Sequence, residues 1–239
     1  MKKILSSVIT LLFAFAINAQ SLDIFNHLSV GAGVGTNGVS IEVASPLTPW
    51  VQVRAGVSIM PDITFNTDTD VDYTRPDGSY ASTEIDLKGG LGRTQGSLIF
   101  NAYPVPKIPV YVAVGAYFGG NNLLKLTGHS DDLRNLKDAS IEVGDYNIPV
   151  DKDGNVRGGL RVNSFRPYFG IGWGRAVPKK RVNFSMDLGI QIEGTPKVYS
   201  ESGDIEQLEN FDYDNDYQKV INNLKIYPVL TFRISGRIF

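Results

Sequence analysis

Residues 181–193 read RVNFSMDLGIQIE, and this stretch decides the fold. Strict alternation of apolar and polar residues predicts a β-strand with two unlike faces, because the apolar stripe of a helix recurs every 3.6 residues. The stretch is longer than the usual globular strand of about 5 to 6 residues. It also exceeds the roughly 9 to 11 residues that a tilted strand needs to cross a bilayer. Its apolar face consists of Val182, Phe184, Met186, Leu188, Ile190 and Ile192.

The amino end has the three parts of a secretory signal peptide. Met1-Lys2-Lys3 is basic, residues 4–17 are apolar, and Ala19 supplies a small residue before Gln20. A membrane anchor is the alternative, but the apolar stretch is shorter than the roughly 20 residues of a spanning helix. We therefore expect residues 1–19 to be a signal peptide and residues 20–239 to form one exported domain, since no linker divides them.

Composition limits the classes of function. The chain of 239 residues has 23 basic and 25 acidic residues and no cysteine. Removal of Lys2 and Lys3 with the signal leaves 21 basic against 25 acidic residues, a net charge of −4. This balance argues against a nucleic-acid partner. The absence of cysteine excludes disulfides and thiolate metal sites.

The alternating pattern recurs along the chain and gives eight candidate strands, although a count of ten stays open. The connections between candidate strands are of two kinds that would lie at opposite ends of a barrel. Short turns occur near residues 45–49, 104–109 and 177–180, and long polar stretches occur at about 61–93, 120–165 and 194–224. Outer-membrane barrels have this asymmetry and an even number of antiparallel strands. The candidate strands lie at about 28–34, 39–43, 51–59, 94–103, 110–119, 168–174, 181–193 and 225–239.

The pattern alone does not say which face is wet, because a soluble lipocalin-like barrel has an apolar interior. The polar faces favour a narrow lumen, since they carry many glycines, such as Gly115, Gly170 and Gly189, and few charges. If the strands pair as a meander, Glu42 falls near Arg54 and Asp187 near Arg233. We therefore predict a charge network in the lumen, with ordinary surface charges as the alternative. The predicted network is Glu42, Arg54, Asp187, Glu193, Arg233 and Arg237.

A signal peptide, eight candidate strands and the terminal aromatic Phe239 together resemble small outer-membrane β-barrel proteins of the OmpA or OmpX kind. The resemblance covers nearly all of the mature chain. It implies an all-β, antiparallel up-and-down barrel of eight strands in the bacterial outer membrane, in contact with lipid and lipopolysaccharide. It also implies that Phe239 is an assembly signal for the barrel assembly machinery. Here, however, Ile234 and Ile238 are out of step with Phe239, which predicts a bulge or a turned-over last residue.

The chain offers little chemistry. His27 and His129 have no carboxylate nearby in a recognisable triad order. Residues 151–154 and 212–216 resemble parts of a calcium loop, but Val162 and Asn223 stand where a glutamate is required. We therefore predict no catalytic, cofactor or metal site.

Three functions remain open. The long stretches mix aromatic with small polar residues, which suits contact with an extracellular protein or a glycan. A structural or surface-interaction role is therefore our first expectation. A narrow pore for small solutes and a lipid-modifying envelope enzyme are the alternatives. Aromatic residues near the short turns, Trp50, Tyr103 and Trp173, are expected to form the periplasmic girdle.

Overall fold

The computed structural model describes residues 26–74, 79–134, 140–143, 146–201, 206–207 and 225–238. The predicted signal peptide at 1–19, the predicted assembly signal Phe239 and the acidic run at 212–216 lie outside these residues. Among the described residues, no helix has the length and apolar character to cross a membrane. The strands are β1 Ser29–Gly35, β2 Gly38–Thr48, β3 Val51–Met60, β4 Thr64–Thr74, β5 Tyr80–Gly90, β6 Arg93–Ala102, β7 Val110–Phe118, β8 Asn122–His129, β9 Ser140–Val143, β10 Tyr146–Pro149, β11 Asn155–Arg161, β12 Phe165–Trp173, β13 Val182–Ile192, β14 Lys197–Ser200, β15 Glu206–Gln207 and β16 Ile226–Arg237.

Eight of these strands close into a barrel, which confirms the predicted architecture. The order around the barrel is β1-β16-β13-β12-β7-β6-β3-β2, and every pairing is antiparallel. The stretch at 181–193 forms β13, which pairs with β16 from Val182↔Gly236 to Ile192↔Ile226. The tight turn predicted at Asn37-Gly38 joins β1 to β2, and Gly38 has a φ of +83°, a conformation that favours glycine.

The barrel is apolar outside and polar inside. In β13, the side chains of Phe184, Leu188 and Ile190 are exposed, whereas those of Ser185 and Asp187 are buried. This is the reverse of a lipocalin-like barrel, whose interior is apolar. A closed eight-stranded barrel with this distribution is the fold of the small outer-membrane barrels that the sequence resembles.

The stretches predicted as long loops contain strands. Five barrel strands continue past the barrel after short breaks: β3 into β4, β6 back into β5, β7 into β8, β12 back into β11 and β13 into β14. The continuations pair in the order β14-β11-β8-β5-β4, which is also the order of their barrel strands. We call this five-stranded sheet the extension sheet. The long loops therefore lengthen the barrel: in the described part of the chain they raise its wall above five of the eight barrel strands, and β15, β10 and β9 form a further three-stranded sheet.

The burial pattern reverses between the barrel and the extension sheet. In β5, Ile85 and Leu87 are buried, and they pack with Leu133 and Val156 in an apolar cluster. In the adjoining β6, most of the buried side chains are polar, and Leu98 is exposed. The extension sheet therefore has the polarity of a soluble protein and the barrel that of a membrane protein, with the change at about residues 90–94.

Candidate functional site

The centre of the lumen contains four charged side chains in mutual contact. Arg54 Nη1 lies 2.6 Å from Asp187 Oδ2 and 3.5 Å from Glu42 Oε2. Arg233 Nη2 lies 2.6 Å from Asp187 Oδ2, and its Nε lies 2.8 Å from Glu42 Oε2. The Tyr111 hydroxyl also donates to Asp187. The charges of this group, which we call the central cluster (Glu42, Arg54, Asp187 and Arg233), balance because two guanidiniums face two carboxylates.

Strand register places the central cluster. Arg54 pairs across the ladder with Ala44, two residues beyond Glu42, and Arg233 pairs with Ser185, two residues before Asp187. Each predicted pair is therefore diagonal, at a separation that long side chains can span.

Glycines beside the central cluster leave room for two buried tyrosines. A Cβ added at Gly172 would collide with the ring of Tyr111, and one at Gly189 would lie 2.7 Å from ring atoms of Tyr168. Tyr111 and Tyr168 pack with Tyr103 and Tyr117 in one buried group. The glycines of the polar face are therefore matched to large lumen side chains.

A second polar layer closes the end of the lumen toward the extension sheet. Arg93 Nη1 lies 2.6 Å from Glu193 Oε1, and Arg93 Nη2 donates to Asn37 Oδ1 at 3.3 Å. Arg166 Nη2 donates to Gln95 Oε1 at 2.8 Å and to the Gly119 carbonyl at 2.5 Å. These bonds join β6 to β12, to the residue that follows β13 and to the turn between β1 and β2.

The opposite end is closed by the turn between β12 and β13. Ala176 and Val177 are buried, and the Val177 N–H donates to Gln52 Oε1 at 3.1 Å. The Tyr103 hydroxyl donates to the same oxygen at 2.9 Å. Arg175 lies over the Tyr103 ring and donates to the Pro106 carbonyl. The turn therefore folds inward over the lumen.

The predicted site residues divide into two groups. Glu42, Arg54, Asp187 and Arg233 come together, and Glu193 belongs to the second polar layer with Arg93. Arg237 is half-buried at the end of β16, outside both layers. The six predicted lipid-facing residues of β13 are all exposed on the outside: Val182, Phe184, Met186, Leu188, Ile190 and Ile192.

The prediction that Tyr103 lies in a membrane girdle is wrong. Its side chain is 1% exposed and belongs to the lumen, whereas Trp50 and Trp173 are about half exposed. Tyr103 follows the end of β6 on the inward-facing register, which the consecutive apolar residues at 98–100 obscured.

Sequence reasoning also missed Arg93 and Arg166. Arg93 was assigned to a loop, although it is in step with Gln95 in β6, and Arg166 precedes the proposed strand start at 168. Extending the alternating pattern by one or two residues at the start of each strand would have included both arginines.

Buried side chains fill most of the lumen. A cavity of ≈ 10 Å³ lies beside Ser40, Glu42, Ser58 and Tyr117. That volume is about the size of one water molecule. This lumen cavity is therefore too small for a solute to pass.

No metal or catalytic centre emerges from the described part of the chain, where no group of three or more His, Asp or Glu could hold a metal ion. In the calcium-like stretch, Asp151 Oδ1 accepts the N–H groups of Asp153 at 2.9 Å and Asn155 at 2.8 Å. Burial opposes ionisation of Asp151, but the hydrogen bonds from Asn155 and Asp153 outweigh it and hold its pKa below the ordinary value. His129 contacts Asn155 and Asp131 in an exposed turn. The Asp151 carboxylate therefore stabilises its own turn.

Comparison with known proteins gives structures but no family. No family model and no curated protein matches the chain. The chain is similar to the crystal structure of CarO2 from Acinetobacter baumannii, with 20% identity, coverage of 88% of this chain and 98% of that one, and a TM-score of 0.48. For CarO of the same organism the values are 20%, 87%, 96% and 0.44. For a major outer membrane protein from Thermus thermophilus they are 18%, 89%, 98% and 0.37. At such values the function has to be argued from the geometry of this chain.

Proposed function

We propose that this chain is an outer-membrane barrel with a structural, surface-interaction role: a filled barrel that holds the extension sheet outside the cell for contact with a partner. One observation carries the proposal. The lumen is closed at three levels by buried side chains, while five strands continue beyond the barrel into a sheet with its own apolar cluster. The barrel forms a rigid wall whose lumen is filled by side chains, and the extension sheet stands beyond it.

The outer surface supports a membrane location. Exposed apolar side chains occur on every strand of the barrel, among them Val34, Ile41, Val57, Phe100, Val112, Ile171, Leu188 and Ile234. An apolar band of this extent is unfavourable in water, whereas it matches the hydrocarbon layer of a bilayer.

The two boundaries of the apolar band also fit a bilayer. At one end the polarity reverses at about residues 90–94, and the exposed side chains of the extension sheet are polar or charged, as at Glu84, Asp86 and Lys88. At the other end Trp50 and Trp173 are exposed beside the short turns. Aromatic side chains of this kind favour the membrane–water interface. The short turns would then face the periplasm and the extension sheet the exterior.

The membrane assignment is tested by fractionation and by gel mobility. We expect the mature protein to be recovered with outer membranes, to require detergent for extraction, and to migrate differently in unheated and boiled samples. A protein that is soluble without detergent and has one mobility would contradict the assignment.

The display role is tested by removing part of the extension sheet. Met60 and Arg93 are paired in the β3–β6 ladder, so residues 61–92 can be replaced by a short glycine-serine turn. We expect the barrel to keep its heat-dependent mobility, while cells lose binding to arrays of glycans or extracellular proteins. If cells with the shortened protein and cells with the wild-type protein show the same binding and the same envelope phenotypes, the display role is refuted.

A narrow conduit is the second candidate, and buried polar atoms favour it. The side chains of Ser40, Ser58, Gln95 and Asn101 each include a buried polar atom without a hydrogen-bond partner among the described residues. Such atoms are normally satisfied, often by water. A row of water molecules along these polar atoms would form a narrow path, and a rearrangement of the central cluster would widen it. Planar-bilayer recordings test this: discrete conductance that rises in Arg54→Ala supports a conduit, and silence in both proteins rejects it.

A further inference from the structure

A groove of ≈ 390 Å³ lies where the barrel meets the extension sheet, at the edge formed by β14. It is built from the breaks between β11 and β12 and between β13 and β14, where the chain leaves the ladder. Its lining includes Asn121, Arg161, Asn163, Lys197 and Tyr199.

Two cations on neighbouring strands line the groove. Arg161 and Lys197 are directly paired in the antiparallel ladder between β11 and β14. Like charges at directly opposed positions destabilise a sheet. A carboxylate, Glu201, lies 3.9 Å from Arg161 Nη2, which is the limit of an ion pair. Within the described ranges this is the ion pair found for the two cations, and an anion in the groove would relieve their repulsion.

The guanidinium of Arg161 is held in place before any ligand binds. Its Cζ lies 3.6 Å from the centre of the Tyr199 ring, and its Nε donates to Asn122 Oδ1 at 3.0 Å. Because Nε is already used, an anion would be bound by the two Nη groups, of which Nη2 has only the distant Glu201 contact at 3.9 Å. A fixed planar fork of this kind matches the oxygens of a phosphate.

The position of the groove indicates which kind of molecule carries the anion. Phe165, which begins β12, and Ile192, which ends β13, are exposed and belong to the apolar band. Of the groove residues, 162–164 directly precede Phe165, and Thr195 lies three positions after Ile192. In the proposed orientation the groove therefore lies at the level of the lipid headgroups of the outer leaflet.

We propose that this groove binds a phosphate monoester on a lipid of the outer leaflet; this inference rests on the proposed outer-membrane location. Arg161 donates to two phosphate oxygens, Lys197 supplies a second positive charge, and the side-chain amides of Asn121 and Asn163 complete the polar wall. The lipid chains lie along the apolar band below.

The test uses the full mature protein in detergent micelles or nanodiscs and bisphosphorylated lipid A as the probe. We expect Arg161→Gln and Lys197→Gln each to weaken binding about tenfold, because each removes a charge-assisted hydrogen bond. Arg161→Lys keeps the charge but loses the fork, so its affinity should lie between those of wild type and Arg161→Gln. The matched control is Arg157→Gln, an exposed arginine four residues earlier in the same strand, which should bind as wild type does.

Further arms separate the possible outcomes. Wild-type protein should bind fully dephosphorylated lipid A as weakly as a variant that combines Arg161→Gln with Lys197→Gln binds bisphosphorylated lipid A. Equal binding of both lipids by the wild type, or wild-type affinity in Arg161→Gln and Lys197→Gln, overturns the proposal. Competition by inorganic phosphate at concentrations near those of the lipid supports the phosphate site but assigns it to a free anion. Loss of binding in Arg157→Gln to the same degree reduces the effect to net charge and also overturns it. If the protein fails the mobility test, inorganic phosphate binding with the same variants still decides whether the groove binds an anion.

Discussion

Arg54 and Arg233 reach the same atom, Asp187 Oδ2, each at 2.6 Å, from strands that are three places apart around the barrel. A single carboxylate oxygen therefore joins β3, β13 and β16 through the lumen. The arrangement is sheltered from water, so each charge depends on its partners. Charged groups inside a protein are costly unless they are paired and hydrogen-bonded.

Asp187→Asn should be among the most destabilising single changes in the barrel. It leaves two buried guanidiniums facing only Glu42, and breaking a buried ion pair typically costs about 3–5 kcal/mol. The measurement is urea-induced unfolding in lipid vesicles. Asp153→Asn, at an exposed acid, is the control and should change the free energy of unfolding by less than about 0.5 kcal/mol. Equal effects of the two changes would disprove the proposed importance of the cluster.

Gly189→Ala should destabilise the barrel because Tyr168 occupies the space. The new Cβ would lie 2.5 Å from the Phe169 carbonyl oxygen and 2.7 Å from the Tyr168 ring. Overpacking of this kind costs about 1–3 kcal/mol. At Gly96 the nearest atoms to a new Cβ are 3.9 Å away, so Gly96→Ala should be neutral. Unfolding midpoints of the two variants provide the comparison, and a neutral Gly189→Ala would contradict the packing argument.

Leu188→Arg tests whether the apolar band faces lipid, because the cost of an arginine depends on its depth in the bilayer. Leu188 is exposed near the middle of β13, whereas Thr94 is exposed at the level where the polarity reverses. Arginine facing lipid costs about 2–4 kcal/mol at the bilayer midplane and about 0–1 kcal/mol near the interface. We expect Leu188→Arg to reduce folding yield and stability in vesicles, with Thr94→Arg close to wild type. If both variants fold equally well, the band does not face hydrocarbon.

Ile85→Ala should loosen the extension sheet without unfolding the barrel. Ile85 packs against Leu87, Leu133 and Val156, and truncation of a buried isoleucine costs about 2–5 kcal/mol. Limited proteolysis of intact cells should become faster in the variant, while the heat-dependent mobility of the protected barrel stays unchanged. Ile63→Ala, at an exposed position in the break before β4, is the control. Simultaneous loss of the barrel would show that the two parts unfold together.

The Asp151 turn should open in acid. The folded-state pKa of Asp151 is below its ordinary value, so the ionised carboxylate stabilises the turn above about pH 4 and that contribution is lost as pH falls through the lowered pKa. Amide exchange at Asp153 and Asn155, whose N–H groups donate to Asp151, reports the opening. Asp151→Asn should show faster exchange at neutral pH, and Glu84→Gln should not. Slow exchange that persists in acid or in Asp151→Asn would contradict this account.

The barrel could be predicted from sequence because each strand carries its own signal. Alternation is local, and it placed β13 and its apolar face correctly from 13 residues. The diagonal contact of Glu42 with Arg54 followed from a hairpin whose short turn sets the register, and that of Asp187 with Arg233 followed from the meander order, which makes β13 and β16 neighbours.

The extension sheet and the ends of the lumen were less accessible to sequence reasoning. Strands such as β8 and β11 have short or broken alternation, and the apolar contact of Leu133 with Ile85 joins segments far apart in the chain. Tyr103 was assigned to the wrong side for a similar reason, since its burial depends on Gln52 and on the turn at 175–177.

The sequence by itself determined a closed wall of eight strands with unlike faces, because strand periodicity and turn length are encoded within short stretches. Only the tertiary structure decided how the predicted lumen charges combine into one cluster and what the wall supports. Closure of the barrel brings β3, β13 and β16 within reach of one carboxylate, and the continued strands bring Arg161 opposite Lys197. Both arrangements depend on pairings between distant strands, whose partners no local pattern specifies.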